Sequence, residues 1–375
     1  MVIYRTLLHL LFSFCFLTAC AAKPPETAPA SKDFRIVTVL DNLDFPWSLA
    51  FLPDGDILIT ERSGNMLRYE VDGELHPITG LPDIHPTGQG GLLDVILDPD
   101  FTANRTLYFS FVAEGDGGYG TEVARAVLDR SSLKNVQVIF RAIPKTSSSI
   151  HFGSRLLFAP DETLIISLGE KGRMHEAQNT SNHLGSIIRI NPDGTLPHDN
   201  PYIDRNDYQP ELYTYGNRNV QGIALHPETG NIWFHEHGPK GGDELNILKS
   251  GANYGWPAIT YGVDYSGAII SEKTALPGME QPSAYWIPSI APSGMTIYDG
   301  NAFPDWKGNI FIGALVQRHL RRVILQGEQI IDQEILLKDL KERIRDVRTG
   351  PDGYLYLLTD SRNGKLLRLE PHSTQ

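Results

Sequence analysis

Cysteine is nearly missing from this chain of 375 residues: there are two, Cys15 and Cys20, both within the first twenty positions. The body of the protein therefore has no disulfide, no thiolate nucleophile and no cysteine-bound zinc. A basic surplus is missing too. The formal net charge is −12, which argues against nucleic acid as a partner, because phosphate binding needs a basic footprint. No hydrophobic run is long enough to cross a membrane. The best, residues 7–17, is broken by His9 and Ser13 and falls short of the roughly 20 residues a span requires. Helical periodicity is scarce, its best candidate lying near residues 335–341. A serine-hydrolase Gly-x-Ser-x-Gly elbow is absent, and so is the Walker lysine of a phosphate cradle.

What is present begins with a targeting segment. Arg5 precedes the short apolar run, and small residues follow it, as in a secretory signal. The boundary Leu17-Thr18-Ala19-Cys20 resembles a bacterial lipobox, which implies cleavage before Cys20 and lipidation of its thiol; an ordinary secretory signal is the alternative. Residues 21–32 are rich in Pro, Ala and Thr, a tether composition. Ala21 after the cysteine, in place of Asp, favours the outer membrane within that resemblance. The expected division is 1–19 lipoprotein signal peptide, 20–33 tether and 34–375 folded domain, working in the periplasm or at the cell surface.

Beyond the tether, hydrophobic residues at 41% and charged residues at 21% without like-charge blocks describe a globular chain. Its local pattern is short β-strands, among them Ile57-Leu58-Ile59-Thr60, Leu107-Tyr108-Phe109-Ser110 and Leu164-Ile165-Ile166-Ser167. A Pro-Asp-Gly turn or a relative of it precedes such a strand six times, at Pro53, Pro99, Pro160, Pro227, Pro304 and Pro351, with spacings of 46, 61, 67, 77 and 47 residues. Four strands per period, repeated six times, predict an all-β, six-bladed β-propeller. The two shortest spacings are close to a minimal blade, so the longer ones predict inserted loops at the channel mouth. The first strand, near residues 34–40, is expected to close the ring on the last blade.

Those loops hold the candidate chemistry. Gly88-Gln89-Gly90-Gly91 is a weak signal by itself. His151 stands before a small-residue turn and a strand, where an imidazole could serve as general base or simply as a structural histidine. Glu170, at the end of the following strand, could orient it. Arg343 and Arg345 alternate along a strand and so point to one face, either as an anion clamp or as a solvated basic edge. The stretch HEHGPKGGDELNILKSGANYGWP, residues 235–257, packs glycines, carbonyls, Asp243 and Glu244 together. It reads either as a long surface loop or as hard-oxygen backbone around a calcium ion.

Taken together, Gly88-Gln89-Gly90-Gly91, His151 with Gly153 and Arg155, Gly216-Asn217-Arg218-Asn219, Gly238-Pro239 with Asp243-Glu244, Asn253-Tyr254-Gly255-Trp256-Pro257 and the run RIRDVRTGPDGYLYLLTD resemble the soluble PQQ-dependent aldose sugar dehydrogenases and the related soluble glucose dehydrogenases. The resemblance covers essentially the whole mature chain. It implies oxidation of aldoses at C1 to lactones, with His151 as base and Glu170 as its partner, and with an external electron acceptor. It implies PQQ held by Gln89, Arg218, Asn219, Tyr265, Ala314, Leu315, Val316, Gln317, Arg343 and Arg345. It implies Ca²⁺ at the Gly238 and Pro239 carbonyls, and a second Ca²⁺ at Glu244 and the Tyr254 carbonyl. Two departures stand out: Val316 replaces a lysine usual in the family, next to Gln317 and Arg318, and His175 replaces a sugar-binding glutamine. A non-catalytic, ligand- or protein-binding propeller of the envelope is the alternative, and a calcium-dependent lactonase a third class.

Overall fold

A short strand of leucine, isoleucine and valine has two apolar faces, and one isolated sheet can cover neither. Repetition covers both. A computed structural model describes residues 34–372 as six antiparallel four-stranded sheets stacked radially as a β-propeller. The expected signal peptide, Cys20 and the expected tether lie outside the described residues. Among the described residues no helix is long and apolar enough to cross a membrane.

The innermost strands of the six blades are Pro46–Phe51, Leu92–Leu97, Leu156–Phe158, Val220–Leu225, Pro292–Ile297 and Ile344–Thr349. Each contacts the next and the last contacts the first. Strand Phe34–Leu43 pairs antiparallel with Gly364–Pro371, completing the sixth blade from outside, as the sequence predicts. Apolar side chains fill the seams between blades: Leu58, Phe109 and Phe111 between the first and second, Tyr298, Phe311 and Leu357 between the fifth and sixth. Because each sheet is covered on both faces, inner strands such as Leu164–Ser167 are buried at every position and show no alternation.

The Pro-Asp-Gly turns act as expected. Gly55 and Gly353 take φ of +95° and +81°, open to glycine at little cost. The preceding aspartates accept backbone N–H groups two residues on, Asp54 from Asp56 at 3.3 Å and Asp352 from Tyr354 at 3.1 Å. Two expectations need correcting. The 61-residue second period owes much of its length to long strands, Thr106–Gly115, Gly118–Asp129 and Ser132–Arg141. Residues 335–341 are not an α-helix: strand Gln329–Leu336 ends there and a 3-10 turn Lys338–Leu340 follows. Leu337 and Lys341 flank that turn with φ of +61° and +56°, so no helix can propagate.

The central channel is plugged by charge. Arg155 Nη1 lies 2.9 Å from Asp346 Oδ1 and 3.4 Å from Asp94 Oδ1; Arg348 reaches Asp94 at 2.8 Å and Asp346 at 3.0 Å. Ser48 Oγ and the Leu156 N–H donate to the Asp94 carboxylate at 2.5 and 2.8 Å. Arg155 Nε donates to Gln221 O at 2.9 Å. A Cβ on Gly294 would lie 2.1 Å from Asp346 Oδ1, so the fifth blade contributes by leaving space. All six blades meet at two arginines and two aspartates.

Removing one partner from such a buried set leaves an uncompensated charge. Asp94→Ala is therefore expected to lower the stability of the chain by about 3–5 kcal/mol, read from the midpoint of urea unfolding. A loss below about 1 kcal/mol would place the cluster among ordinary surface pairs.

Candidate active site

Above the plug the channel widens into a cavity of about 790 Å³, open to solvent. Its floor rests on the charge cluster: Gln221 and Arg345 line it, and both carbonyls accept from Arg155, at 2.9 and 3.3 Å. Trp47, Leu93, Phe152, Ala291, Leu315 and Val316 supply apolar wall. Tyr265, 68% exposed, stands at the mouth. The rest of the polar lining is Arg62, Gln89, Asn219, His237 and Arg343.

The His151–Glu170 pair forms. His151 Nδ1 lies 2.7 Å from Glu170 Oε2, both residues are buried, and Glu170 also accepts the Gly172 N–H. A carboxylate can only accept, so Nδ1 carries the hydrogen and Nε2 keeps a lone pair. The His151 backbone N–H donates to Gln89 Oε1 at 2.9 Å; the next two residues, Phe152 and Gly153, line the cavity, whereas His151 itself does not. His151 takes φ of +52°, a strained geometry for a side chain that costs roughly 1–3 kcal/mol. Gly169 makes room for it, since a Cβ there would sit 2.4 Å from His151 O. Beneath the pair, Lys171 Nζ donates to Ser148 O at 2.7 Å and lies 3.0 Å from the Phe152 ring centroid. Burial pushes its ammonium down to about 7, against the pull of Glu170.

Arginines gather around Asp360. Arg343 Nη2 is 2.8 Å and Arg345 Nη2 3.3 Å from Oδ2, and Arg62 Nη1 is 4.0 Å from Oδ1. Burial pushes the Asp360 carboxyl up, but the guanidiniums of Arg345, Arg343 and Arg62 outweigh it and hold it at about 2.

A second, smaller cavity of about 240 Å³ lies beside the first, with His237 lining both. Glu236 and Glu244 face each other across a strand pair and both line this space with Gly238 and Tyr254. Burial pushes Glu236 up to about 7; burial and then Glu236 push Glu244 well up. Glu236 accepts Asn217 Nδ2 at 2.9 Å and the Arg218 N–H, whereas Glu244 has only Asn246 Nδ2 at 3.3 Å. Asn217 Oδ1 and Asn246 Oδ1 are buried acceptors without a hydrogen-bond partner. Among the described residues no three His, Cys, Asp or Glu side chains converge as metal ligands, so a cation here would draw on carbonyl oxygens besides the two glutamates.

Of the residues expected at a cofactor pocket, Gln89, Asn219, Tyr265, Leu315, Val316, Arg343 and Arg345 line the large cavity. Ala314 is buried behind it, and Gln317 turns to Ser289 O at 3.4 Å. Arg218 is elsewhere: Nη1 donates to Gly238 O at 2.8 Å and His237 O at 3.2 Å, and the side chain lines the smaller cavity. Gly238 belongs to that smaller space as well, and Pro239 lines neither. Asp243 does not point at a metal; its carboxylate binds the Gly238, Ile290 and Ala291 N–H groups and Ser289 Oγ. Arg318 donates to Lys341 O at 3.4 Å, away from the cavity, and His175 is exposed. Sequence reasoning missed Arg62, Trp47, Gln221, His237 and Glu236. Several share one signal: Arg62, Glu236 and His237 close or follow the second strand of a blade, as Glu170 does.

Comparison with known proteins places this geometry in a group. The profile of the Glucose / Sorbosone dehydrogenase family matches residues 43–368. The chain is 42% identical over 361 residues to the aldose sugar dehydrogenase YliI of Escherichia coli K12, covering 94% of this chain and 97% of the relative. It is 26% identical over 426 residues to quinoprotein glucose dehydrogenase B of Acinetobacter calcoaceticus, covering 90% and 88%. A solved PQQ-bound aldose sugar dehydrogenase from Streptomyces coelicolor superposes with a TM-score of 0.74 at 29% identity, covering 92% of this chain and all of the other.

Lys171 gives the site a pH signature. Unfolded, its ammonium titrates at roughly 10.4; folded, at about 7. Between those values the unfolded chain holds a proton that the folded chain has released, so this group makes stability rise with pH across that window. Lys171→Met is expected to remove that rise, measured as urea midpoints from pH 7 to 10. An undiminished slope in the variant would acquit Lys171.

Proposed function

The chain belongs to the glucose/sorbosone dehydrogenase family, and from that premise we propose that it oxidises aldose sugars at C1 to lactones, using PQQ and Ca²⁺ and passing electrons to an external acceptor. The observation that carries the reading is the carboxylate-oriented imidazole, His151 with Glu170 at 2.7 Å, next in sequence to Phe152 and Gly153 of the guanidinium-lined cavity.

The cavity fits PQQ by chemistry. A planar tricarboxylate needs cations and flat apolar walls; Arg343 and Arg345 would hold carboxylates, Gln89 and Asn219 would donate amide N–H groups, and Trp47, Leu315 and Val316 would flank the plane. The smaller cavity suits calcium, with Glu236, Glu244 and carbonyls from Gly238 and Tyr254 as hard oxygens. Two buried carboxylates that face each other and two orphaned amide oxygens support that reading.

Bound PQQ supplies a quinone able to accept a hydride equivalent. The protein's part is proton management and orientation. His151 Nε2 takes the proton of the anomeric hydroxyl while the C1–H bond breaks, so the C1–O bond becomes a carbonyl without an alkoxide building up. Glu170 fixes the ring and balances the imidazolium. Gln89, whose Oε1 accepts the His151 backbone N–H, links the segment that carries the base to the cofactor wall.

We also propose that Cys20 is lipidated and that residues 21–33 tether the propeller to the outer membrane facing the periplasm. Cys20→Ser should release the protein to the soluble fraction and abolish labelling by radioactive palmitate; a labelled variant would remove Cys20 from that role.

The activity is tested by adding PQQ and CaCl₂ to the purified protein and following dye reduction with a panel of aldoses. Turnover is expected, and loss of bound PQQ when a chelator removes calcium. His151→Ala should lower kcat by about 10²–10⁴-fold while PQQ absorbance remains. No cofactor uptake and no turnover with any aldose would leave the binding-module reading in its place.

A further inference from the structure

Arg62 lies in none of the segments that suggest a ligand site, yet it lines the large cavity. It follows Ile57–Glu61, the second strand of the first blade. Its backbone is fixed from both sides. The Arg62 N–H donates to Phe45 O at 3.1 Å, and a Cβ on Gly91 would lie 1.7 Å from Arg62 O. The last glycine of Gly88-Gln89-Gly90-Gly91 is therefore required by the close approach of Arg62.

The side chain is fixed by weaker means. Its guanidinium carbon sits 4.4 Å from the Phe45 ring centroid, a cation–π distance. Nη1 is 4.0 Å from Asp360 Oδ1, too long for a hydrogen bond, so its donors remain available. Asp360 is already bound by Arg343 at 2.8 Å and approached by Arg345 at 3.3 Å. One carboxylate thus serves three permanent cations. Two positive charges remain uncompensated on one wall of the cavity, and like charges held this close repel unless an anion joins them. Arg218 does not share this task, since it donates to Gly238 O and His237 O.

We infer that Arg62 is a cofactor-anchoring residue: with Arg343 and Arg345 it completes a three-guanidinium clamp on the carboxylates of the polyanionic cofactor. Charge at this wall then comes from the first blade as well as the sixth, while the position expected to carry an ammonium holds Val316. The inference rests on the proposed use of PQQ, whose three carboxylates match three cations.

The experiment is calorimetric titration of PQQ, with CaCl₂ present, into the full chain and into Arg62→Gln and Arg62→Lys. Arg62→Gln should raise Kd by about tenfold to a hundredfold, the range for one hydrogen bond to a charged group, and make Kd less sensitive to NaCl. Arg62→Lys should lose less. Equal Kd for the wild type and Arg62→Gln overturns the inference. So does a loss in Arg62→Lys as large as in Arg62→Gln, which would place the effect in packing and not in charge. Failure of the wild-type chain to bind PQQ overturns the proposed function instead, and is distinguished from both by the unsubstituted protein alone.

Discussion

The rest of this molecule depends on four charges largely withdrawn from water, three of them buried and Arg348 half-buried. Arg155, Asp94, Asp346 and Arg348 meet where the six innermost strands converge. Desolvating such ions is expensive, and their mutual attraction offsets the cost only where geometry is good and the remaining donors are satisfied. Here Ser48, the Leu156 N–H and the carbonyls of Gln221 and Arg345 do the satisfying. A blade shifted by one residue would turn its contribution to the opposite face. The apolar seams tolerate some variation in packing; the ionic hub does not. It therefore adds a polar constraint on blade register to the one hydrophobic burial imposes.

The same hub explains why the candidate site sits where it does. Arg155 is tied to the carbonyls of two residues whose side chains line the cavity floor, Gln221 and Arg345. Polar groups above them come from two recurring positions: just before the first strand of a blade, as in Gln89, His151, Asn219 and Arg343, and at or just after the end of the second, as in Arg62, Glu170, Glu236 and Asp360. Antiparallel pairing puts those two positions at the same end of each sheet. Six blades thus offer a double ring of side chains around one opening, and distant parts of the chain meet without any one loop having to carry the whole site.

Much of this was legible beforehand. The phased turns announced the six blades because proline and glycine mark turns by stereochemistry, independent of what lies across the sheet. His151 and Glu170 could be paired because they lie at the two open ends of one hairpin. Arg343 and Arg345 could be aimed together by the two-residue period. What stayed hidden was three-dimensional. Arg62 looks like an ordinary strand-end arginine until the sixth blade closes beside the first and brings Asp360 near. Glu236 acquires meaning only through its register with Glu244. Arg218, in a promising sequence, turns to carbonyls of the neighbouring loop, and Asp243 becomes a tie between loops because four donors converge on it. Composition gives no warning of either.

One further consequence follows from the strand that completes the sixth blade. Arg35 and Glu370, paired there at 2.9 Å, are 335 residues apart. During synthesis Phe34–Leu43 is the first of the described strands to emerge, but its partner Gly364–Pro371 is the last of them. For that whole interval it presents an unpaired edge, with the aggregation hazard such edges bring, and its pairing is the most non-local in the molecule. Contacts of that span are slow to form. The circle is therefore finished late and all at once, and a chain truncated by even a few strands at its end would lose not one edge but its closure.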